Sequence, residues 1–178
     1  MPANSLNEKE RILKLDVRRK LYRLVLRYAG CHFREIERKS GLSTGSVKYH
    51  LDYLARHNLI RQEKEGNNLR YFPFKVKSES ATLLGLLRQR SVRHILLFIL
   101  IHENCNHEQI VKSVSLSPST VSWHLKKLED ADVICSHKHG RYKSYSIIIK
   151  KEEIINLLII YRESFLDTLV DRVIEMWE

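Results

Sequence analysis

Long apolar runs are absent from this sequence. The longest, "HILLFILIH" from His94 to His102, places seven apolar residues between two histidines, whereas a membrane-spanning helix needs about 20. The first residues, "MPANSLNEKERILKL", also lack an apolar core followed by a small-residue cleavage site. We therefore expect a cytoplasmic protein that has no membrane partner.

Cysteine is scarce, and the usual sequence signatures of enzymes are missing. The 178 residues include three cysteines, an odd number without framework spacing, which argues against a disulfide scaffold and for a reducing compartment. The chain has no glycine-rich phosphate loop, no HExxH and no GxSxG sequence. We therefore expect no enzyme activity, no cofactor and no small-molecule substrate.

Acidic residues are outnumbered, because 21 Asp and Glu stand against 31 Lys and Arg, a net charge of +10. Residues 1–74 hold 16 basic and 8 acidic residues, residues 75–150 hold 12 and 6, and residues 151–178 hold 3 and 7. A basic balance is typical of proteins with a polyanionic partner. We expect the acidic end of the chain to lie away from any phosphate backbone.

An internal repeat is the main positive feature of the sequence. "STGSVKYHLDYL" from Ser43 to Leu54 returns 74 residues later as "SPSTVSWHLKKL" from Ser117 to Leu128. The alignment needs no gap from Arg19 to Tyr71, and most identical positions are apolar or turn residues. These are the positions that two copies of one small core must share, so each copy is expected to be a compact module.

Each copy has the same predicted order of elements. Helical periodicity from Asn7 to Ala29 is followed by a short "FREIERKSG" helix, a third helix from Ser43 to His57, and two extended runs around Gly66. This is the order of a helix-turn-helix followed by a two-stranded wing. We predict a mainly α, α+β winged-helix fold. Two tandem winged helix-turn-helix modules are expected at residues 1–74 and 75–150, and a C-terminal amphipathic helix at residues 151–178.

The segments "GLSTGSVKYHLDYLARHNLI" and "SLSPSTVSWHLKKLEDADVI" resemble the helix-turn-helix core of ArsR- and MarR-like winged-helix regulators. The pair of units is similar to archaeal transcription regulators with two winged helix-turn-helix domains. The resemblance covers roughly residues 10–150, and it implies a transcription regulator that binds double-stranded DNA sequence-specifically. Winged helices also dock proteins, so a docking factor of transcription or chromosome machinery is the alternative.

The third helix of each copy is predicted to expose hydroxyl groups, lysines and one large aromatic residue. Hydroxyl groups can hydrogen-bond base edges, and the N-terminus of a helix favours phosphate. Tyr49 and Trp123 could instead pack on the wing or on the neighbouring module, and His50 and His124 are expected to be half-buried. The predicted DNA-binding residues of these helices are Ser43, Thr44, Ser46, Lys48, Tyr49, Arg56, Ser117, Ser119, Thr120, Ser122, Trp123, Lys126 and Lys127.

The two wings differ in charge. The second wing, "HKHGRYKS", carries Lys138, Arg141 and Lys143, which we also predict to bind DNA along phosphates or in a minor groove. The first wing, "EKEGNNLR", has a net charge near zero and is expected to bind DNA less strongly. The first module is expected to compensate by holding phosphates with its basic first helix and with other basic residues. These residues are Arg18, Arg19, Lys20, Arg34, Arg38, Lys39 and Lys48. The basic surface of either module could also be an ordinary solvated surface that binds nothing.

The C-terminal segment has apolar residues at every third or fourth position, too many for a free surface helix. We predict that it forms a homodimer interface, with packing on its own modules as the alternative. A dimer would present four modules and would bind a palindromic or extended target. The predicted interface residues are Leu158, Tyr161, Phe165, Leu169 and Val173.

Side chains of metal-ligand type are frequent in the second copy, but their spacing matches no usual zinc pattern. We therefore predict no metal site, and a metal- or thiol-responsive switch is a remoter hypothesis. The side chains concerned are His102, Cys105, His107, Cys135, His137 and His139.

Overall fold

The computed structural model describes residues 3–140, 142–165 and 167–177. For residues 3–7, 139 and 168 it describes the backbone only. The chain divides into two compact units, Met1–Ala81 and Thr82–Glu178. Each unit has its own helices and its own antiparallel sheet of three strands.

The first unit has the predicted order of helices and strands. Its elements are α1 (Ala3–Leu13), α2 (Asp16–Arg27), β1 (Cys31–His32), α3 (Phe33–Ser40), α4 (Thr44–Arg56), β2 (Ile60–Glu65) and β3 (Asn68–Pro73). Helix α5 (Ser78–Leu87) begins in the first unit and ends in the second.

The single first helix predicted from Asn7 to Ala29 is wrong, because the structure divides it at Leu15, whose backbone is extended (φ −73°, ψ 119°). A straight helix would place Ile12 about 160° around the axis from the midpoint of Leu21 and Val25, the buried residues of α2. The break allows Ile12 to reach the same core, where it is 4% exposed. Burial of this side chain is the physical reason for the two helices.

The core of the first unit lies between α2, α3, α4 and the sheet. In α3 and α4, apolar residues at helical spacing face this core and are almost fully buried. These residues are Ile36, Val47, Leu51 and Leu54. Ser43 caps α4, because its Oγ accepts a hydrogen bond from the Ser46 N–H at 3.4 Å.

The predicted hairpin around Gly66 is also confirmed. Strands β2 and β3 pair antiparallel, with Ile60 opposite Pro73 and Glu65 opposite Asn68. Gly66 adopts φ +56° in the turn, a conformation that favours glycine. The short strand β1 pairs with the other edge of β3, so the strand order is β1-β3-β2.

The second unit repeats this order and then adds the C-terminal segment. Its elements are α6 (Arg90–Ile101), β4 (Cys105–Asn106), α7 (His107–Val114), α8 (Pro118–Asp130), β5 (Ile134–His139), β6 (Tyr142–Ile147), α9 (Lys151–Ile160), α10 (Arg162–Phe165) and α11 (Thr168–Glu175). The strand order is β4-β6-β5.

The repeat extends to backbone geometry. Cys105 pairs with Tyr145 in the second sheet as Cys31 pairs with Tyr71 in the first. Positive φ angles are disfavoured for L residues, yet the described residues that adopt them all fall into pairs 74 positions apart. The pairs are Gly30 and Asn104, Gly41 and Ser115, Asn58 and Asp132, and Gly66 and Gly140. The two modules are therefore copies of one backbone.

The C-terminal segment forms three helices rather than the predicted single helix. Helix α11 packs against α9 and α6. Its N-cap residue, Asp167, accepts hydrogen bonds at Oδ2 from Arg93 Nη2 at 2.6 Å and from His94 Nε2 at 2.8 Å. Burial would raise the pKa of Asp167, but the hydrogen bonds from Arg93 and His94 outweigh it and lower that pKa. This buried ion pair fixes the end of the chain on α6.

The side chains that we predicted to form a dimer interface are used within the unit. Leu158 and Val173 are fully buried, Tyr161 and Phe165 are nearly so, and Leu169 is half-buried. The structure therefore corrects this part of the prediction, because the alternative of intramolecular packing accounts for the apolar stripe. Any dimer surface would have to use other residues.

Among the residues that the structure describes, no helix combines the length and the apolar character needed to cross a bilayer.

Candidate nucleic-acid interface

The start of α4 is held by side-chain hydrogen bonds. Ser43 is the exposed N-cap, and the Thr44 hydroxyl donates to a carboxylate oxygen of Glu37 on α3. Of the predicted contact residues here, Ser46 is half-buried and Thr44 is engaged with Glu37. The other N–H groups of a first turn have no partner within the helix, and an anion is favoured at such a terminus.

The outer face of α4 presents Lys48, Tyr49 and Arg56. All three are exposed, and Tyr49 keeps 55% of its surface accessible. The ring of Tyr49 meets the ring of His50 edge-on, with centroids 5.0 Å apart. A large aromatic side chain held in this way forms a rigid, exposed contact surface.

Helix α8 has the same design in the second unit. Ser117 caps it by accepting a hydrogen bond from the Thr120 N–H at 3.2 Å, and Ser119 and Lys126 are exposed. Trp123 is 61% exposed and meets His124 edge-on at 4.9 Å. The structure thus places the predicted aromatic residues of both helices on the outside, at equivalent positions.

Three predicted contact residues of α8 are partly buried or already hydrogen-bonded, which the sequence did not indicate. Thr120 is half-buried. The Ser122 hydroxyl donates to the Pro118 carbonyl at 3.0 Å and lies 2.9 Å from His107 Nε2. Lys127 is half-buried and donates to Gln89 Oε1 at 3.0 Å. Lys126 is therefore the more accessible of the two adjacent lysines.

His50 and His124 occupy equivalent positions behind the exposed aromatic residues. His50 is half-buried as predicted, whereas His124 is only 8% exposed. Burial lowers the pKa of both imidazoles, and the positive charges of Arg18 and Lys127, respectively, lower it further. A lowered pKa favours the neutral imidazole, which suits a ring packed beside an aromatic side chain better than a ring that binds phosphate.

The first wing has little free positive charge. Arg70 is 6% exposed and donates to Glu65 Oε2 at 2.5 Å and to the Gly30 carbonyl at 2.6 Å. Arg61 pairs with Glu63 at 2.9 Å. The opposite charges that give the first wing a net charge near zero thus form ion pairs with each other. Lys64 is the exposed basic residue of this wing.

The second wing concentrates positive charge. Lys138 and Lys143 are exposed and lie directly opposite each other on β5 and β6. Like charges facing each other across two strands destabilise the pair, unless an anion lies between them. Arg141, the third predicted wing residue, lies outside the described residues.

A groove of about 640 Å³ lies between α3, α4 and the first wing. Arg34, Arg38 and Lys48 contribute positive charge to it, and Glu35 and Asp52 contribute negative charge. Mixed charge of this kind is less favourable for a phosphate backbone than the uniformly basic second wing.

The side chains of metal-ligand type do not assemble into a site in the part of the chain that the structure describes. Burial raises the pKa of the Cys105 thiol to about 11. Cys135 Sγ lies 3.1 Å from His137 Nε2 and 3.3 Å from Ser146 Oγ. This pair of side chains alone is too small a ligand set for zinc.

Two features were missed by the sequence reasoning. Tyr142, beside the turn of the second wing, is 71% exposed, and its place between wing lysines could have indicated it. Gln62 Nε2 donates to Asp52 Oδ1 at 3.0 Å and ties β2 to α4. The sequence gives no signal for that contact, because it depends on the packing of the wing.

Comparison with known proteins supports the same architecture. Residues 15–83 match a family model described as an N-terminal HTH domain, and residues 90–136 match one described as a bacterial regulatory protein of the arsR family. Over 143 residues the chain is 31% identical to a Methanocaldococcus jannaschii protein named as an uncharacterized HTH-type transcriptional regulator. The match covers 80% of this chain and 36% of that protein, so the chain spans about a third of its relative. The chain therefore contains two helix-turn-helix domains in tandem and is similar to an archaeal HTH-type transcriptional regulator.

Proposed function

We propose that the protein is a transcription regulator that binds double-stranded DNA sequence-specifically through both modules. The observation that carries the proposal is the repeated outer face of α4 and α8. In both helices a serine caps the start, and an exposed aromatic residue, Tyr49 or Trp123, stands beside exposed hydroxyls and lysines. Such a face can enter a major groove, where hydroxyls contact base edges and apolar rings contact thymine methyl groups.

The two modules contribute unequally in this proposal. The second wing adds Lys138 and Lys143, whereas the cations of the first wing are mostly engaged in ion pairs. Because phosphate contacts supply much of the affinity for DNA, the second module anchors the protein and the first adds a weaker contact. Protein docking, the alternative function, would need no such opposed pair of exposed lysines.

Binding to a labelled duplex from the protein's own promoter region tests the proposal. Affinity would be measured across a series of salt concentrations, against a random duplex of equal length. We expect Trp123→Ala/Lys126→Ala to weaken specific binding more than Lys48→Ala/Tyr49→Ala does. Each good base contact is worth about 1–3 kcal/mol, so the loss expected for the first variant is roughly tenfold or more.

The control is Lys77→Ala/Lys112→Ala, which removes two exposed lysines that lie outside the recognition helices α4 and α8. It is expected to bind the promoter duplex nearly as well as the unchanged protein. Binding that is weak, independent of salt and equal for all variants would contradict the proposal and favour protein docking.

We also propose that the chain is a homodimer. Apolar side chains of the C-terminal segment that remain exposed, rather than the buried stripe, would form the contact. Ile160 is 67% exposed and Met176 is 64% exposed. A dimer would carry four modules and would favour a palindromic or extended operator.

A further inference from the structure

Helices α2 and α6 are equivalent in the repeat, but they differ on the side that faces away from the core. Leu97 and Leu100 of α6 are buried, at 0% and 3% exposure. Their equivalents on α2, Arg23 and Leu26, are exposed. The same helix face is thus covered in the second module and open in the first.

The C-terminal segment is the element that packs on α6 and has no counterpart in the first unit. It is held by two arginines and a histidine. Arg93 and His94 bind the Asp167 carboxylate, and Arg88 Nη1 donates to the Ser164 carbonyl at 2.8 Å. An acidic, amphipathic helix is therefore what this face binds.

The first module has basic residues at all three positions. Counting back 74 residues from Arg88, Arg93 and His94 leads to Lys14, Arg19 and Lys20. Positive charge is therefore present at these positions, although no helix of the described part of the first unit corresponds to the one that they contact in the second. Helix α1 does not take this place, because α1 and α5 are equivalent in the repeat and Lys9 of α1 lies over Tyr22, on another side of α2.

Positive charge is also added on this face, which we call the α2 stripe: Arg19, Lys20, Arg23 and Arg27. With Leu24 and Asp16, these residues line a shallow, open depression of about 360 Å³ on the surface of α2. Asp16 pairs with Arg19, while no described residue forms an ion pair or hydrogen bond with the side chain of Lys20 or Arg23. Arginines four residues apart on a helix repel each other, so the stripe favours an acidic partner.

The α2 stripe does not belong to the proposed DNA-binding face. Arg19, Lys20 and Arg23 lie on the opposite side of α2 from Leu21 and Val25, which are fully buried. Helix α4 packs against the buried side. A duplex that lies on the outer face of α4 would therefore be separated from the stripe by the thickness of α2 itself.

We propose that the α2 stripe is a docking site for an acidic amphipathic helix of a protein partner. The partner helix lies across α2 as α11 lies across α6, with a carboxylate near Arg19 and Lys20 and an apolar side chain on Leu24. Residues 162–177, the segment that covers α6, hold four acidic and two basic residues, so the same chemistry complements the stripe. The proposal goes beyond DNA binding and is independent of it.

A fluorescent peptide with the sequence of residues 161–177 serves as the probe, added to the protein and followed by fluorescence anisotropy. We expect saturable binding that Lys20→Glu/Arg23→Glu weakens by about tenfold or more, because reversal replaces attraction with repulsion. Lys20→Gln/Arg23→Gln, which only removes charge, is expected to have a smaller effect in the same direction. Circular dichroism would check that both variants are folded.

Two controls fix the location and the charge dependence of binding. Lys64→Glu/Lys75→Glu changes the net charge by the same amount at exposed positions away from the stripe and should bind the probe normally. A probe with Asn and Gln in place of its acidic residues should bind poorly. No binding, or equal binding by all protein variants, would overturn the proposal, since the probe would then use another site.

The promoter duplex is titrated onto the same variants. Normal duplex affinity of Lys20→Glu/Arg23→Glu is expected. If duplex affinity falls as far as in Trp123→Ala/Lys126→Ala, the stripe is a DNA contact and the docking proposal fails, while the proposed function stands. Failure of the unchanged protein to bind DNA would instead contradict the proposed function alone.

Discussion

At the residue scale, His50 and His124 show how the repeat holds its exposed aromatic residues. Each imidazole lies behind a neighbouring ring, and each has an unpartnered Nδ1 buried from solvent. A protonated ring at either position would bring a charge into a partly apolar site close to Arg18 or Lys127. Both modules therefore depend on neutral histidine.

The lowered pKa of these histidines predicts loss of stability in mild acid. Below about pH 6.5, the ordinary pKa, the unfolded chain binds protons that the folded protein resists, so the free energy of unfolding falls as the pH falls. We expect the melting temperature to drop between pH 7 and pH 5. Calorimetry on His50→Gln/His124→Gln should show a flatter dependence over this range.

His32 also contributes to the pH dependence of stability, because burial lowers its pKa as well. A His32→Gln variant, melted over the same pH range, separates its part from that of the paired histidines. An unchanged pH slope in the His50→Gln/His124→Gln variant would contradict the role assigned to the two rings.

At the element scale, a buried ion pair decides where the C-terminal segment lies. The side chains of Arg93 and Asp167 are 5% and 8% exposed, and they join residues 74 positions apart. Removing one partner of a buried pair leaves the other charge unpaired, which costs about 3–5 kcal/mol. The attachment of α11 to α6 depends on this contact.

We expect Asp167→Ala to lower the free energy of unfolding by about 3–5 kcal/mol in urea titrations. Asp171→Ala is the matched control, because Asp171 pairs with Arg162 on the surface and such pairs contribute about 1 kcal/mol or less. Equal effects of the two variants would show that the buried pair does not hold the segment.

In the proposed function, the facing lysines of the second wing lower stability and bind phosphate. Lys138→Ala/Lys143→Ala removes two facing positive charges, so the melting temperature should stay the same or rise slightly. The slope of log affinity against log salt should fall by about 2 for a DNA duplex, roughly 0.9 for each lost phosphate contact. A fall in stability together with an unchanged slope would exclude a phosphate-binding role.

Elements whose signals are local were predictable from the sequence, and the others were not. The caps at Ser43 and Ser117 and the turn at Gly66 depend on neighbouring residues. The break at Leu15 depends on the burial of Ile12 in a core that no local pattern describes. For the same reason the sequence indicated that the apolar stripe of the C-terminal segment must be buried. It did not indicate whether the stripe packs on its own unit or on another chain.

At the scale of the whole molecule, dimerisation would decide how many recognition helices meet DNA at once. Within the C-terminal segment, Ile159, Ile160, Met176 and Trp177 remain exposed. Exposed apolar residues that occur singly are normal, but several in one short segment favour a contact surface. The exposed fractions make Ile160 the first residue to test.

We expect light scattering to show a dimer that Ile160→Glu/Met176→Glu dissociates, because charges at the centre of an apolar contact are strongly unfavourable. Leu26→Glu, at a 40% exposed position in the first module, should leave the mass unchanged. A monomeric mass for the unchanged protein at all concentrations would contradict the dimer.

Two modules with one backbone allow each to serve as an engineering template for the other. Ser115 adopts φ +52° at the end of α7, where the first module has Gly41. A left-handed conformation costs an L residue about 1–2 kcal/mol, and glycine loses roughly 0.5–1 kcal/mol in folding entropy. Ser115→Gly should therefore raise the free energy of unfolding by up to about 1 kcal/mol in urea titration, and Gly41→Ser should lower it. The chain thus contains, in its own first half, the sequence change that would stabilise its second.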